Sequence, residues 1–193
     1  MLRVLSMCQE AVVASLVLFP LFLLLGKYYF FSKKKTLFGI LFALYLTAVY
    51  AVVGLPDITY VRFDPHFNLI PFAYMFSDYV NSCLNVLLFL PLGFFLPLLQ
   101  NKYRHVLRTM CFGFSTSLLI EFLQVFTYRA TDINDLITNT LGTLLGWCFG
   151  RIVLHQFPDF SSKWRERDIF LICGISFAVM FFVQPYLSDL FSM

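Results

Sequence analysis

The chain has 193 residues, 60% of them hydrophobic and only 13% charged, and its mean hydropathy is +0.79. A soluble domain is about half apolar and about a quarter charged, and one core of this size could not hide so much apolar surface. The composition therefore excludes an ordinary soluble enzyme or binding module and predicts an all-α integral membrane protein, multi-pass, with residues 1–193 forming a single transmembrane domain. A formal net charge of +3 calls for no nucleic-acid partner, because the basic residues sort by membrane side. Five scattered cysteines (Cys8, Cys83, Cys111, Cys148, Cys173) show no C-x-x-C or Cys/His spacing, so they read as small buried hydrophobes, with no metal and no cofactor implied.

A bilayer crossing takes about 20 apolar residues. Taken in chain order, six stretches qualify, at residues 11–31, 36–55, 79–99, 106–126, 132–154 and 169–185. The first has no small-residue cleavage pattern before Lys27 and is long for a signal peptide, so it reads as an anchor. The third contains Pro91 and Pro97, which a membrane helix tolerates when neighbours satisfy the freed carbonyls. The fourth is the least apolar, with Arg108 near one end and Glu121 near the other. The fifth carries Gly142, Gly146 and Gly150, a spacing that lets helix backbones approach closely in lipid.

The first connection holds Lys27, Lys33, Lys34 and Lys35, and the third holds Lys102, Arg104 and Arg108. With Arg151, Lys163, Arg165 and Arg167 in the fifth, these account for all but Arg3, Arg62 and Arg129 of the 14 basic residues. Positively charged connections face the cytoplasm. Both termini are then expected outside, and so is the connection between the fourth and fifth spans. The connection between the second and third spans, residues 56–78, is too aromatic for a free loop. Tyr60, Phe63, Phe67, Phe72, Tyr74 and Phe76 suit the headgroup zone, which predicts a re-entrant or interfacial cap with Arg62 and Asn68 turned inward.

Polar residues gather at the outer ends of three spans. At 1.5 Å rise per residue, Asn85 lies about 9 Å below the surface, and Glu121 and Asn139 each lie about 10 Å below it. Asp78, Asn81 and Asn85 share one helix face, as do Ser117, Glu121, Gln124 and Tyr128, and also Asp132, Asp135 and Asn139. Ionisable groups in hydrocarbon cost at least a few kcal/mol and usually face a partner, a cavity or a substrate. The expectation is a polar cavity open to the outer leaflet. Glu121, Asp132 and Asp135 are its candidate catalytic residues. Arg62, Asn68, Asn85, Gln124, Arg129 and Asn139 are its candidate binding residues.

The ordered set of Arg62 with N-L-I-P-F (Asn68 to Phe72), Asn85 within N-V-L-L-F-L-P-L-G-F, I-E-F-L-Q, Arg129, T-D-I-N-D and N-T-L-G-T-L-L-G resembles the VanZ-like family of small bacterial membrane proteins. The match runs over residues 62–150, the expected VanZ-like core and roughly half the chain. The resemblance implies a bacterial cell membrane location. It also implies that the protein lowers susceptibility to teicoplanin and related lipoglycopeptides, as some members do without remodelling the D-Ala-D-Ala terminus of the cell-wall precursor. It supplies no mechanism.

Three readings follow from the residues. In the first, the cavity binds or modifies an envelope amphiphile, a membrane lipid or lipid-linked precursor, through the arginines, with Glu121 handling a proton. In the second, Glu121 titrates in a proton-coupled transporter or flippase, against which stand the lack of an internal repeat and the clustering of acids at one surface. In the third, the group is a structural network, with Asp132 as an N-cap, Glu121 paired with an arginine, and Asn85 bonded to Asn139. No G-x-S-x-G, H-E-x-x-H or Walker motif is present, so enzymatic chemistry would rest on the Glu/Arg/Asp set alone. A homo-oligomer is compatible with the sequence.

Overall fold

The computed structural model describes residues 2–59, 61–63, 66–72, 78–127, 130–161 and 164–192. It is all-α apart from two strands of two residues each. The order is α1 (Leu2–Leu25), α2 (Lys33–Val53), β1 (Phe67–Asn68), α3 (Tyr79–Leu99), α4 (Val106–Gln124), β2 (Thr131–Asp132), α5 (Ile133–Gln156), α6 (Glu166–Ala178) and α7 (Gln184–Ser192). Among the described residues, five helical segments are long and apolar enough to cross a membrane: Met7–Phe30, Lys33–Val53, Tyr79–Leu99, Val106–Gln124 and Glu166–Leu190. The last of these joins α6 to α7 through a π-helical turn at Val179–Val183. The remaining expected span is α5. Its 24 residues would rise about 36 Å, yet it is absent from that apolar set because amide, hydroxyl and glycine residues dilute its leucines.

The chain forms two compact units, Met1–Val61 with Trp164–Met193, and Arg62–Lys163. In the first unit, Phe22, Phe42, Ile169, Ile172 and Met180 are almost fully buried. Trp164 stacks on Phe30 with ring centroids 5.6 Å apart. Asp168 accepts a hydrogen bond from the Tyr29 hydroxyl at 3.1 Å and pairs with Lys35 at 3.9 Å.

The second unit is organised by its polar helix. A Cβ placed on Gly142, Gly146 or Gly150 of α5 would run into the carbonyl oxygens of Val86, Leu90 and Phe94 of α3, in that order. Each step of four along α5 matches a step of four along α3 in the same direction, so the two helices are parallel and in backbone contact. Gly93 returns the contact, since a Cβ there would meet the Thr143 carbonyl. This spacing also suits Cα–H···O contacts between the helices. On the other side, α5 meets α4 in antiparallel order, with Gly113 against the Thr143 side chain and Ser117 against Asn139. Hydroxyls that lipid could not satisfy turn back on their own helix. Thr138 donates to Asn134, Thr140 to Leu136 and Thr143 to Asn139, all to backbone carbonyls at 2.7–2.9 Å.

A polar, glycine-rich helix thus fits a membrane protein by lying between two apolar ones. The outward faces of α3 and α4 carry Leu84, Leu87, Leu118 and Phe122, all exposed. Gly146→Ala should destabilise the protein by about 3 kcal/mol or more, because the clash is with backbone that cannot yield. At Gly174 of α6 a Cβ would meet nothing within 4 Å, so Gly174→Ala should stabilise by up to about 1 kcal/mol. Thermal unfolding of both variants in one detergent checks the contrast.

Candidate functional site

Parallel packing of α3 and α5 brings the N-terminal ends of both helices to the same end of the second unit as the C-terminal end of α4. Here β1 pairs in parallel with β2, with Phe67 opposite Thr131 and Asn68 opposite Asp132. The Thr131 N–H donates to the His66 carbonyl at 2.8 Å, and the Arg62 N–H donates to the Phe126 carbonyl at 3.0 Å. The cap segment is therefore tied to the end of α4 and the head of α5 by its backbone.

Asp132 stands at the centre. It is the N-cap of α5, where a short oxygen-bearing side chain satisfies a free helix N–H. Its Oδ1 accepts from the Asn134 N–H at 2.8 Å. Its Oδ2 accepts from Asn68 Nδ2 at 3.0 Å. With both oxygens occupied, Asp132 serves as a clamp between cap and helix. Its own N–H donates to Glu121 Oε2 at 2.9 Å, and the Thr131 hydroxyl donates to the Glu121 carbonyl at 3.1 Å. Glu121 is only 4% exposed. Its buried carboxylate is thus met by a peptide N–H at the head of α5, where the helix dipole also favours negative charge.

About two turns further along α5, Asn139 is also 4% exposed and donates from Nδ2 to Ser117 Oγ at 2.9 Å. Its Oδ1 is buried with no hydrogen-bond partner among the described residues. Such an orphan in a low-dielectric interior is costly and marks a place where a polar group or water could enter.

The expected residues fall into distinct groups. Asn68, Glu121 and Asp132 come together. Asn139 does not bond Asn85, as the structural reading had it; its partner is Ser117, because α4 rather than α3 presents a hydroxyl at that level. Nor do Glu121 and Asn139 share one depth. Ser117 precedes Glu121 by four residues, so the Asn139 level lies about 6 Å deeper. Asn85 is partly exposed, Gln124 is buried and Asp135 is partly buried. The Arg62 side chain is exposed rather than turned into the interior. Arg129 and Tyr128 lie outside the described residues, as do Tyr60, Tyr74 and Phe76 of the cap.

Two partnerships escaped the sequence reading, the first between Phe72 and Asn134. Phe72 adopts φ 62°, a left-handed conformation rare for a non-glycine residue, and its N–H donates to Asn134 Oδ1 at 2.7 Å. Asn134, which lies between the two predicted acids in T-D-I-N-D, thereby holds the cap at Phe72. The paired strands are the second, and at two residues each they leave no periodicity to read.

Removing one partner of these bonds should cost in proportion to what is left unsatisfied. Glu121→Ala strands the Asp132 N–H and should destabilise by about 1–3 kcal/mol, whereas Glu121→Gln keeps an acceptor and should cost less than about 1 kcal/mol. Asp132→Ala loses a cap and a side-chain bond, about 2 kcal/mol, against about 1 kcal/mol for Asn68→Ala. Unfolding midpoints in a single detergent give the order.

Comparison with curated proteins gives no match, and comparison with solved structures gives none either. A model of the VanZ/LLP1 family matches residues 42–154. That stretch is more than half of the chain and contains α3, α4, all but the last two residues of α5, the strand pair and every residue of the polar network just described. The chain is a multi-pass membrane protein of the VanZ/LLP1 family.

Proposed function

We propose that the polar end of the second unit binds the headgroup of a cell-envelope amphiphile at the extracytoplasmic face, and that this binding lowers susceptibility to teicoplanin-type lipoglycopeptides. The observation that carries the reading is Glu121, a carboxylate 4% exposed in a membrane protein and held by a peptide N–H at 2.9 Å. Burying a carboxylate is expensive, and a purely structural role would be filled at lower cost by an amide or an apolar residue.

The surroundings have the mixed character that an amphiphile needs. Phe63, Phe67, Leu69, Ile70 and Phe72 expose 57–68% of their surface, enough apolar area to meet acyl chains or an aromatic glycan face. Arg62, at the start of the same segment, offers a guanidinium suited to a phosphate or carboxylate. Asn68 and Asp132 hold the segment to α5 at 3.0 Å, so the cation and the apolar surface are presented from an anchored backbone. The amide Oδ1 of Asn139, buried without a partner among the described residues, gives an acceptor deeper in the unit. In this scheme Asp132 and Asn134 position the cap, Arg62 holds the anionic group, and Glu121 takes or returns a proton where one is exchanged. The distribution of lysine and arginine among the connections supports the outward side.

The test is expression in a susceptible bacterium, with membrane abundance of each variant measured. Glu121→Gln and Arg62→Gln should each abolish the teicoplanin phenotype at normal abundance. Retention of the phenotype in both overturns the reading. Lipid extracts from expressing and control cells then sort binding from catalysis: a modified lipid found only with the wild-type protein makes Glu121 catalytic, and an enriched but unmodified lipid makes the protein a binder.

A further inference from the structure

Neither the family match nor the polar network involves the turn between α1 and α2, yet that turn has its own chemistry. After Leu25 the chain widens into a π-helical turn at Gly26–Phe30, and Phe31 at φ 50° reverses its direction. Ser32 then caps α2, its hydroxyl accepting from the Lys35 N–H at 3.5 Å. A Cβ on Gly26 would strike the Thr36 side chain, so the two helices touch at the floor of the turn. Beside that contact lies an open groove of about 630 Å³, within the range of ordinary ligand sites.

The groove is divided. Phe19, Leu23, Leu37 and Ile40 make its apolar wall, and Lys27 and Lys33 stand at the end nearest the turn. Both lysines are exposed, and no acidic side chain among the described residues pairs with either. The neighbouring Lys35 differs, because Asp168 lies 3.9 Å from it. The first peptide N–H groups of α2 add partial positive charge at the same end.

We propose that this groove is a binding site for an anionic phospholipid. Its phosphate lies between Lys27 and Lys33, and an acyl chain follows the wall along α1 and α2. A soluble anion would leave the wall unused: Phe19, Leu23 and Leu37 expose 48–57% of their surface. A zwitterionic lipid would gain little from two cations that no described acid neutralises, Lys27 resting 5.1 Å from the Tyr28 ring centre. The wall belongs to two segments apolar enough to cross a membrane, so acyl chains are its ordinary surroundings and the lysines select among headgroups.

Native mass spectrometry of the full-length protein, titrated with phosphatidylglycerol or with phosphatidylcholine of the same chains, tests this. The wild type should prefer phosphatidylglycerol. Each lysine near an anionic headgroup is worth about five-fold, so the double variant Lys27→Gln with Lys33→Gln should weaken that binding about thirty-fold. Lys34→Gln removes the same charge from the same turn but does not line the groove, and should leave binding within about two-fold. Leu23→Trp, at an exposed position, should reduce binding by filling the groove with the charge intact. Equal binding of the two lipids, equal losses for Lys34→Gln and the double variant, or undiminished binding by Leu23→Trp would each overturn the proposal. Because the site rests on the first unit alone, its failure would leave the teicoplanin reading untouched.

Discussion

Within lipid no hydrophobic force draws one helix to another, so α3 and α5 must be held by contact at the backbone itself. Gly142, Gly146 and Gly150 supply that contact against Val86, Leu90 and Phe94, with Gly93 answering from α3. Because the surfaces meet at carbonyl oxygens rather than at flexible side chains, the register is sharply defined. A slip of one residue along either helix would put a side chain where only hydrogen fits. The arrangement at the polar end of the unit follows from this register. Parallel helices bring both N-terminal ends to one level, and there the segments leading into them can pair as strands.

The same logic accounts for the amide and hydroxyl content of α5. A helix facing lipid on all sides would expose these groups to a medium that cannot satisfy them. Between α3 and α4 they find partners: threonine hydroxyls on their own carbonyls, and Asn139 on Ser117. Glu121 is met in the same way by the Asp132 N–H. The network is therefore structural, and the proposed headgroup site is built upon it. Asp132 as N-cap and Asn68 as its partner answer the structural reading directly. The exposed Arg62, the buried carboxylate and the Asn139 oxygen go beyond what a clamp requires.

The two units carry different kinds of polar chemistry. In the second, acids and amides are buried and bonded at helix ends, an arrangement suited to holding a shaped headgroup. In the first, Lys27 and Lys33 stand exposed beside an apolar groove with no acidic partner among the described residues, the arrangement proposed to recognise charge on a lipid. Both turn on local backbone features: a left-handed Phe72 at the cap and a left-handed Phe31 at the turn. Each changes the chain direction where a glycine would be the usual choice, and Phe72 is held by Asn134.

Composition and periodicity alone were enough to establish a multi-pass helical protein, because a bilayer demands long apolar runs and leaves little room for other solutions. They also revealed the glycine stripe of α5 and the acid at its head, since spacing on a helix and an N-cap are local properties. What no local pattern contained was partnership. That Glu121 meets the Asp132 N–H, that Asn139 meets Ser117 rather than Asn85, and that Phe67–Asn68 pairs with Thr131–Asp132 across 64 residues depend on how closely three helices approach. Those distances arise only when backbones touch, and a linear order of side chains does not record them.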